Sequence, residues 1–167
     1  MPKPEATEIR WAAPDDAAAL APLLAELRAY YDDDPVAPPL LEEKARTWLK
    51  PEPGRSLFVL AFVADQPAGL ASVAVMRPVP GEVGALFMKE LFVSERFRGH
   101  GIGKALLSFL ARHCIAEGFE RIDFTTDIEN DGAVRFYERE GASVFKGKIS
   151  LRFDSASLGK LASGEDG

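Results

Sequence analysis

The sequence is poor in cysteine and has no long hydrophobic run. A single cysteine, Cys114, stands among 167 residues, so no disulfide can form within the chain. The longest apolar runs, such as residues 57–64, are far shorter than the roughly 18 residues that a membrane-spanning helix needs. The amino-terminal residues contain no apolar stretch of the kind found in secretion signals. We therefore expect a cytoplasmic protein with no membrane association.

The sequence also has fewer positively charged than negatively charged residues. The chain carries 20 Lys and Arg residues against 26 Asp and Glu residues, which gives a formal net charge of −6. Binding to nucleic-acid phosphates or to an anionic membrane needs clustered positive charge, so we expect neither partner. The negative net charge is more compatible with a cationic ligand than with an anionic one. With 47% apolar and 28% charged residues, the composition is that of an ordinary globular domain.

Apolar periodicity predicts alternating strands and helices. Glycine and proline residues mark the ends of most of these segments. The predicted strands lie at residues 7–11, 57–64, 68–76, 85–93 and 122–126, with one or two closing strands over 143–154. The predicted helices cover residues 20–31, 40–49, 102–117 and 130–140. We expect a single domain over residues 1–154 and a flexible carboxyl-terminal tail over residues 155–167, because that tail is small and polar.

A glycine-rich turn joins the predicted fourth strand to an amphipathic helix. Gly99, Gly101 and Gly103 alternate with other residues there, and glycine allows positive φ and close approach of a ligand to the backbone. The unpaired N–H groups and the positive dipole of a helix start favour an anion, above all a phosphate. Three positively charged side chains add to this field: Arg96, Arg98 and Lys104.

Two phosphate-binding motifs do not match this turn. A P-loop needs a glycine where Arg98 stands and a serine or threonine where Ala105 stands. A dinucleotide-binding fingerprint needs its third glycine where Lys104 stands. The positions of the glycines therefore exclude both a P-loop and a dinucleotide-binding fingerprint at this turn.

Residues 96–101, Arg-Phe-Arg-Gly-His-Gly, resemble the (Gln/Arg)-x-x-Gly-x-(Gly/Ala) motif of the GNAT N-acetyltransferases. Residues 130–142, Asn-Asp-Gly-Ala-Val-Arg-Phe-Tyr-Glu-Arg-Glu-Gly-Ala, resemble that family's later Asn-x-x-Ala-x-x-Phe-Tyr-x-x-x-Gly motif. The two motifs keep the family's order and spacing. The resemblance implies an α/β (α+β) GNAT fold: a mixed, mostly antiparallel sheet of six to seven strands, splayed at strands four and five, with about four flanking helices.

The resemblance also implies that acetyl-coenzyme A is the acyl donor. Backbone groups of the fourth strand would pair with its pantetheine arm, the glycine-rich turn would hold its pyrophosphate, and the later motif would complete the site. The residues implied in donor binding are Leu91, Phe92, Val93, Arg96, Arg98, Gly99, His100, Gly101, Ile102, Gly103, Lys104, Asn130, Ala133 and Phe136. Asn130 is also placed to cap the helix that follows it.

Two residues are candidates for proton transfer. By resemblance, Tyr137 would protonate the departing thiolate. Glu90 is the first candidate for the base that deprotonates the amine, because strict alternation places it on one strand face with Leu86, Met88 and Phe92, where a carboxylate is costly unless paired or functional. The alternatives for this base are Asp123, Asp127 or a water molecule.

The acceptor site is expected between the first two helices, as the resemblance implies. Tyr30, Tyr31, Asp32 and Asp33 lie there, and their acidity would suit a small cationic amine such as a polyamine. The predicted function is acetylation of such an amine without a metal, and the protein is a possible homodimer. The alternatives are a protein amine or an aminoglycoside-type drug as acceptor, or a non-catalytic module that only binds acyl-coenzyme A.

Overall fold

A computed structural model describes residues 7–52, 54–77 and 83–163. The chain divides into two compact units, Met1–Asp127 and Ile128–Gly167. The first unit contains the strands β1 (Thr7–Trp11), β2 (Leu57–Val63), β3 (Gln66–Met76), β4 (Ala85–Val93) and β5 (Ile122–Phe124) and the helices α1 (Ala17–Tyr30), α2 (Pro38–Trp48) and α3 (Ile102–Glu117). The second unit contains the helices α4 (Asp131–Arg139) and α5 (Ser155–Ser163).

The five strands form one mixed sheet in the order β1-β2-β3-β4-β5. The first three pairings are antiparallel, and β4 pairs with β5 in parallel. This confirms the predicted α/β (α+β) architecture and its mostly antiparallel sheet. The strand β5 pairs only with residues 86–88 of β4, so the two strands part after three residues, as the predicted splay requires.

The two faces of the sheet are covered by different helices. On the front face, leucines of α1 and α2 form one buried cluster with Leu60, Leu70 and Phe92. On the back face α3 packs through its buried residues at four-residue steps, and Trp11 of β1 contacts Phe109 of that helix at a ring-centroid distance of 5.5 Å. The central strands β2, β3 and β4 contain the buried residues of the sheet, and burial fixes their register.

A partly exposed carboxylate, that of Asp16, lies at the entry to α1. Asp16, whose side chain is 12% exposed, accepts hydrogen bonds from both terminal nitrogens of Arg10, at 2.6 and 2.8 Å. It also accepts the backbone N–H of Ala13 at 2.7 Å. The hydrogen bond from Arg10 lowers the pKa of this carboxyl below its usual value, although burial opposes the shift. The pair ties β1 to the first helix.

The prediction of six to seven strands is wrong, because residues 143–154 form no strand among the described residues. The alternating apolar side chains Phe145, Ile149, Leu151 and Phe153 are exposed, at 66% to 84%. Alternation indicates only that a segment suits a pleated surface, and a strand forms when it also finds an edge to pair with.

The residues that the structure describes form five α-helices, one more than the four or so that were predicted. The additional helix α5 covers part of the segment expected to be a flexible tail. Its first turn is held by Asp154, whose carboxylate accepts the backbone N–H of Ser157 at 2.8 Å. The hydrogen bonds from Ser157 lower the pKa of Asp154. Residues 164–167 lie outside the described range.

Candidate active site

The turn between β4 and α3 has the geometry of an anion site. Gly99 and Gly101 adopt the left-handed conformation, with φ of 80° and 79°. Helix α3 begins at Ile102, and no side chain caps its start. The first backbone hydrogen bond of the helix runs from the N–H of Ala105 to the carbonyl of Gly101 at 2.9 Å. The N–H groups of Ile102 and Gly103 belong to the first turn of the helix, where a helix offers no intrahelical acceptor, so they suit the oxygens of a phosphate.

The cationic side chains near this turn point in different directions. The guanidinium of Arg98 lies over the rings of Tyr30 and Phe92, at 5.8 and 5.7 Å, and its Nε donates to the carbonyl of Val93 at 3.1 Å. Arg96 lies over the adjoining Phe97 ring at 4.7 Å. Arg98 therefore links the predicted phosphate turn to the predicted acceptor residue Tyr30.

Two further predicted turn residues are placed close to the helix start. Lys104 lies on the exposed side of the first turn of α3, and Gly103 precedes it within that turn. His100 is exposed, and its Nδ1 lies 2.9 Å from the carbonyl oxygen of Arg98. This contact holds the imidazole against the turn, while the backbone of the turn supplies the anion-binding groups.

The second half of β4 leaves one backbone edge without a strand partner among the described residues. Beyond residue 88, β5 no longer pairs with it. Directly after β4, the N–H of Ser94 donates to the carbonyl of Ala68 in β3. Since backbone groups point alternately to the two sides of a strand, those of Phe92 face β3, and those of Leu91 and Val93 face the opening. Leu91 and Val93, two of the three residues predicted to pair with a pantetheine arm, thus turn their backbone groups toward the opening.

A β-bulge in β4 changes the face on which Glu90 lies. Ser72 pairs with Glu90, and the next residue of β3, Val73, pairs with Met88, so Lys89 is the extra residue. A bulge of this kind reverses the alternation on one strand. Glu90 therefore shares the front face with Phe92, as predicted, but the prediction that it shares a face with Leu86 and Met88 is wrong. Those two residues lie on the back face under α3.

Glu90 is held by groups from two directions. The hydroxyl of Tyr31, at the end of α1, donates to Glu90 Oε2 at 2.9 Å. Lys89 Nζ lies 3.3 Å from Glu90 Oε1. The Glu90 side chain is only 18% exposed, whereas that of Lys89 is 70% exposed. The carboxylate of Glu90 is thus oriented by Tyr31 and partly shielded from solvent, and its role as a base stays a prediction.

The residues of the predicted acceptor loop lie at the end of α1, and their role in acceptor binding stays a prediction. Tyr30 and Tyr31 make an edge-to-face ring contact at 5.4 Å, and Tyr30 also contacts Phe92 at 6.4 Å. Asp32 has a φ of 55° at the turn after α1. Asp33 lies 3.6 Å from Nη1 of Arg28, so part of its charge is compensated. Tyr31 contacts the candidate base Glu90 directly through its hydroxyl.

An open pocket of about 330 Å³ lies on the same front face. It is lined by Trp48, Arg55, Ser56, Phe58 and Ser72. None of these residues was predicted as a site residue, because they come from α2, from the loop after it and from two different strands. The strand register pairs Phe58 with Ser72 and Ser72 with Glu90, so Ser72 lies between the pocket residue Phe58 and the candidate base.

The alternative bases are placed less favourably than Glu90. Asp123 shares the front face, since it pairs with Phe87 in the parallel register. Its carboxylate accepts from Nε of Arg121 at 2.8 Å and is 47% exposed. Asp127 ends the first unit and lies outside any strand. Their roles as alternative bases stay predictions.

The later motif forms the start of the second unit. Asn130 Oδ1 accepts the backbone N–H of Ala133 at 3.0 Å, so Asn130 caps α4 as predicted. Phe136 and Tyr137 make a ring contact at 5.1 Å, and Arg139 lies over Phe136 at 5.8 Å. The roles of these residues in donor binding and proton transfer stay predictions.

Within the part of the chain that the structure describes, no helix is both long and apolar enough to cross a membrane. In the same ranges no three His, Cys, Asp or Glu side chains gather in a way that could hold a metal ion. The site therefore consists of a backbone anion turn, an open strand edge and a carboxylate on the front face. A turn of this kind next to an open strand edge suits a ligand that carries a phosphate group.

The chain belongs to the Acetyltransferase (GNAT) family, whose sequence profile matches residues 20–142. Over 60 residues it is 35% identical to an L-ornithine N5-acetyltransferase of Arabidopsis thaliana, an alignment that covers 36% of this chain and 26% of that relative. The chain spans only about a quarter of the length of the curated relatives it matches, 26% and 23%.

Solved structures show the same fold. An integron cassette protein from the mobile metagenome of V. cholerae superposes with a TM-score of 0.80 at 31% identity, over 93% of this chain and 97% of that chain. An aminoglycoside N-acetyltransferase in complex with CoA superposes with a TM-score of 0.72 at 17% identity, over 92% of this chain and 98% of that chain. At that identity the second likeness concerns the fold alone.

Proposed function

We propose that this protein transfers the acetyl group of acetyl-coenzyme A to a primary amine of a small cationic molecule. The observation that carries the proposal is the placement of Glu90. This carboxylate is oriented by Tyr31 on the front face of the same strand that leads into the anion turn. A small amine is also supported by the relative named L-ornithine N5-acetyltransferase.

The donor would be held mainly by backbone groups. The N–H groups at the start of α3 would take the pyrophosphate, with Lys104 adding positive charge beside them. The open edge at Leu91 and Val93 would pair with the amide groups of the pantetheine arm. When bound, acetyl-coenzyme A supplies an activated thioester to this edge of the sheet.

Glu90 would act on the acceptor. An ammonium group has no lone pair, so a primary amine must lose a proton before it can attack a carbonyl carbon. The carboxylate of Glu90 would accept that proton, directly or through one water molecule. The hydroxyl of Tyr31 would keep Oε2 fixed, and Oε1, beside the exposed ammonium group of Lys89, would accept the proton.

Tyr137 would supply the proton that the sulfur of the leaving group needs. Phenols and alkyl thiols have ordinary pKa values of about 10 and about 8.5, so a proton can pass from one to the other without a large mismatch. The resemblance of residues 130–142 to the family motif supports this role.

The test is an assay of thiol release with acetyl-coenzyme A and a panel of amines that includes diamines, polyamines, an aminoglycoside and a peptide with a free amino terminus. We expect turnover with small amines, and a loss of kcat of about 10²- to 10⁴-fold in Glu90→Gln. The matched control is Glu43→Gln, since Glu43 is an exposed glutamate on α2. Tight binding of coenzyme A with no turnover of any amine would instead identify a non-catalytic binding module.

A further inference from the structure

We infer that the acceptor is a primary amine with an aromatic tail and with a hydroxyl group between that tail and the amine, and that Ser72 recognises this hydroxyl group. The inference deepens the proposed function and rests on it. It arises from the pocket on the front face, where a buried serine that bonds to no described residue lies beside an aromatic wall.

Ser72 contributes a buried hydroxyl group to the lining of this pocket. The residue is only 6% exposed. Within the ranges that the structure describes, its hydroxyl group makes no hydrogen bond to the backbone or to another side chain. A buried hydroxyl group without a partner is costly. A ligand that fills the pocket must therefore bring a hydrogen-bonding group to Ser72, since an apolar ligand would exclude water and leave the hydroxyl group unpaired.

The wall of the pocket beside Ser72 is aromatic. The rings of Trp48 and Phe58 are nearly parallel, at 9°, and their centroids lie 6.4 Å apart. Aromatic rings bury a large apolar area and pack favourably on one another. The pocket volume of about 330 Å³ is near the lower limit for ligand-binding pockets, about 300 Å³. The pocket therefore suits a single ring on a short chain.

The pocket provides no anionic group for a second ammonium group. The described residues that line it include no Asp or Glu, and the charged side chain among them is Arg55. The charge of Arg55 is compensated by Glu52, whose Oε2 accepts from Nε at 2.7 Å. A polyamine would have to desolvate its second ammonium group here without a carboxylate to pair with it. An uncharged tail is therefore favoured.

The strand register determines the order of groups along the acceptor. Ser72 pairs with Glu90 on one side and with Phe58 on the other. Paired residues point to the same face, and neighbouring strands lie about 4.8 Å apart. An acceptor whose amine lies at Glu90 would therefore reach Ser72 next and the aromatic wall last. This order corresponds to a 1-aryl-2-aminoethanol, in which the hydroxyl group is near the amine and the ring lies beyond it.

The experiment compares amines that differ in one group. Thiol release from acetyl-coenzyme A would be measured with 2-amino-1-phenylethanol against 2-phenylethylamine. A net hydrogen bond to Ser72 should raise kcat/KM for the amino alcohol by roughly 3- to 10-fold. A second pair is n-pentylamine against 1,4-diaminobutane, which carries an ammonium group in place of the terminal methyl group. We expect kcat/KM to favour n-pentylamine by roughly 10-fold or more, because the pocket gives the second ammonium group no partner.

Two variants assign these preferences to the pocket. Ser72→Ala should remove the preference for the amino alcohol by raising its KM. Trp48→Leu should lower kcat/KM for the ring-bearing amines relative to n-pentylamine, because the aromatic wall is lost. The matched control is Ser163→Ala, since Ser163 is an exposed serine of α5 and does not line the pocket. The comparisons in the unsubstituted protein keep the test valid if a variant fails to fold.

The outcomes separate this inference from the proposed function. Equal kcat/KM for the two ring-bearing amines, or a preference for 1,4-diaminobutane over n-pentylamine, would overturn the inference and leave the proposed function intact. Retention of the amino alcohol preference in Ser72→Ala would also overturn the inference. An absence of turnover with every amine would overturn the proposed function, and the inference with it.

Discussion

Replacing Gly69 by alanine tests how closely α3 packs on the sheet. A Cβ at this position would lie 2.8 Å from the backbone carbonyl oxygen of Phe92, 3.3 Å from Cγ2 of Ile102 and 3.4 Å from Cδ1 of Leu106. Ordinary contacts of a Cβ begin at 3.4 Å, so the closest one is short by 3.4 − 2.8 = 0.6 Å. The atom in the way belongs to the backbone of β4, and it cannot be relieved by a side-chain rotation.

The cost follows from this geometry. Inserting a methyl group into a well-packed core costs about 1–3 kcal/mol. The alanine also reduces the conformational freedom of the unfolded chain, which offsets about 0.4–1 kcal/mol of this cost. We therefore expect a net destabilisation of about 1.3 kcal/mol, within a range of about 0–2.6 kcal/mol. The strained contacts involve Phe92 of β4 and Ile102 in the first turn of α3. These two elements lie directly before and after the glycine-rich turn. The affinity for coenzyme A should therefore fall as well.

Urea unfolding followed by circular dichroism, and calorimetric titration with coenzyme A, measure the two effects of Gly69→Ala. Gly159→Ala is the control, because a Cβ at that helical position would meet nothing within 4 Å. It should be neutral or stabilising by up to about 1 kcal/mol. If Gly69→Ala kept both the unfolding midpoint and the coenzyme A affinity of the unsubstituted protein, the close packing of α3 on β3 would be refuted.

Three further substitutions have defined outcomes. Asp16→Asn should cost about 1–2 kcal/mol at pH 7 in urea unfolding. Because the pairing with Arg10 lowers the pKa of Asp16 in the folded state, this contribution is fully present above the unfolded pKa of about 4 and is lost as the pH falls through the folded value. A difference that grew on acidification would contradict the pairing. Gly101→Ala, at a φ of 79°, should strain the anion turn by about 1–2 kcal/mol and weaken coenzyme A binding in a titration. Tyr137→Phe should lower kcat by up to about 10²- to 10⁴-fold with coenzyme A affinity nearly unchanged, and an unaltered kcat would remove its acid role.

Local features were predictable from the sequence. The anion turn depends on glycines at neighbouring positions and on the start of one helix, and both are encoded within a few residues. The structure confirms the left-handed Gly99 and Gly101 and the helix start at Ile102. The capping of α4 by Asn130 is local in the same way.

Features that depend on pairing were predicted less well. The face of Glu90 was misassigned in part because the bulge at Lys89 is a property of the β3–β4 register. The closing strands over residues 143–154 were expected from alternation alone, yet a strand also needs an available edge. The pocket residues Arg55 and Ser72 belong to no sequence motif that would have predicted a pocket.

The sequence by itself determined the family of this protein and its anion turn, because both are encoded in short motifs whose backbone conformation follows from glycine and helix chemistry. Only the tertiary structure decided which side chains share the front face with Glu90. One extra residue in β4 reverses the alternation, and the sheet then aligns residues from three distant segments into one row. That arrangement exists only when the strands have paired, since no single segment contains it.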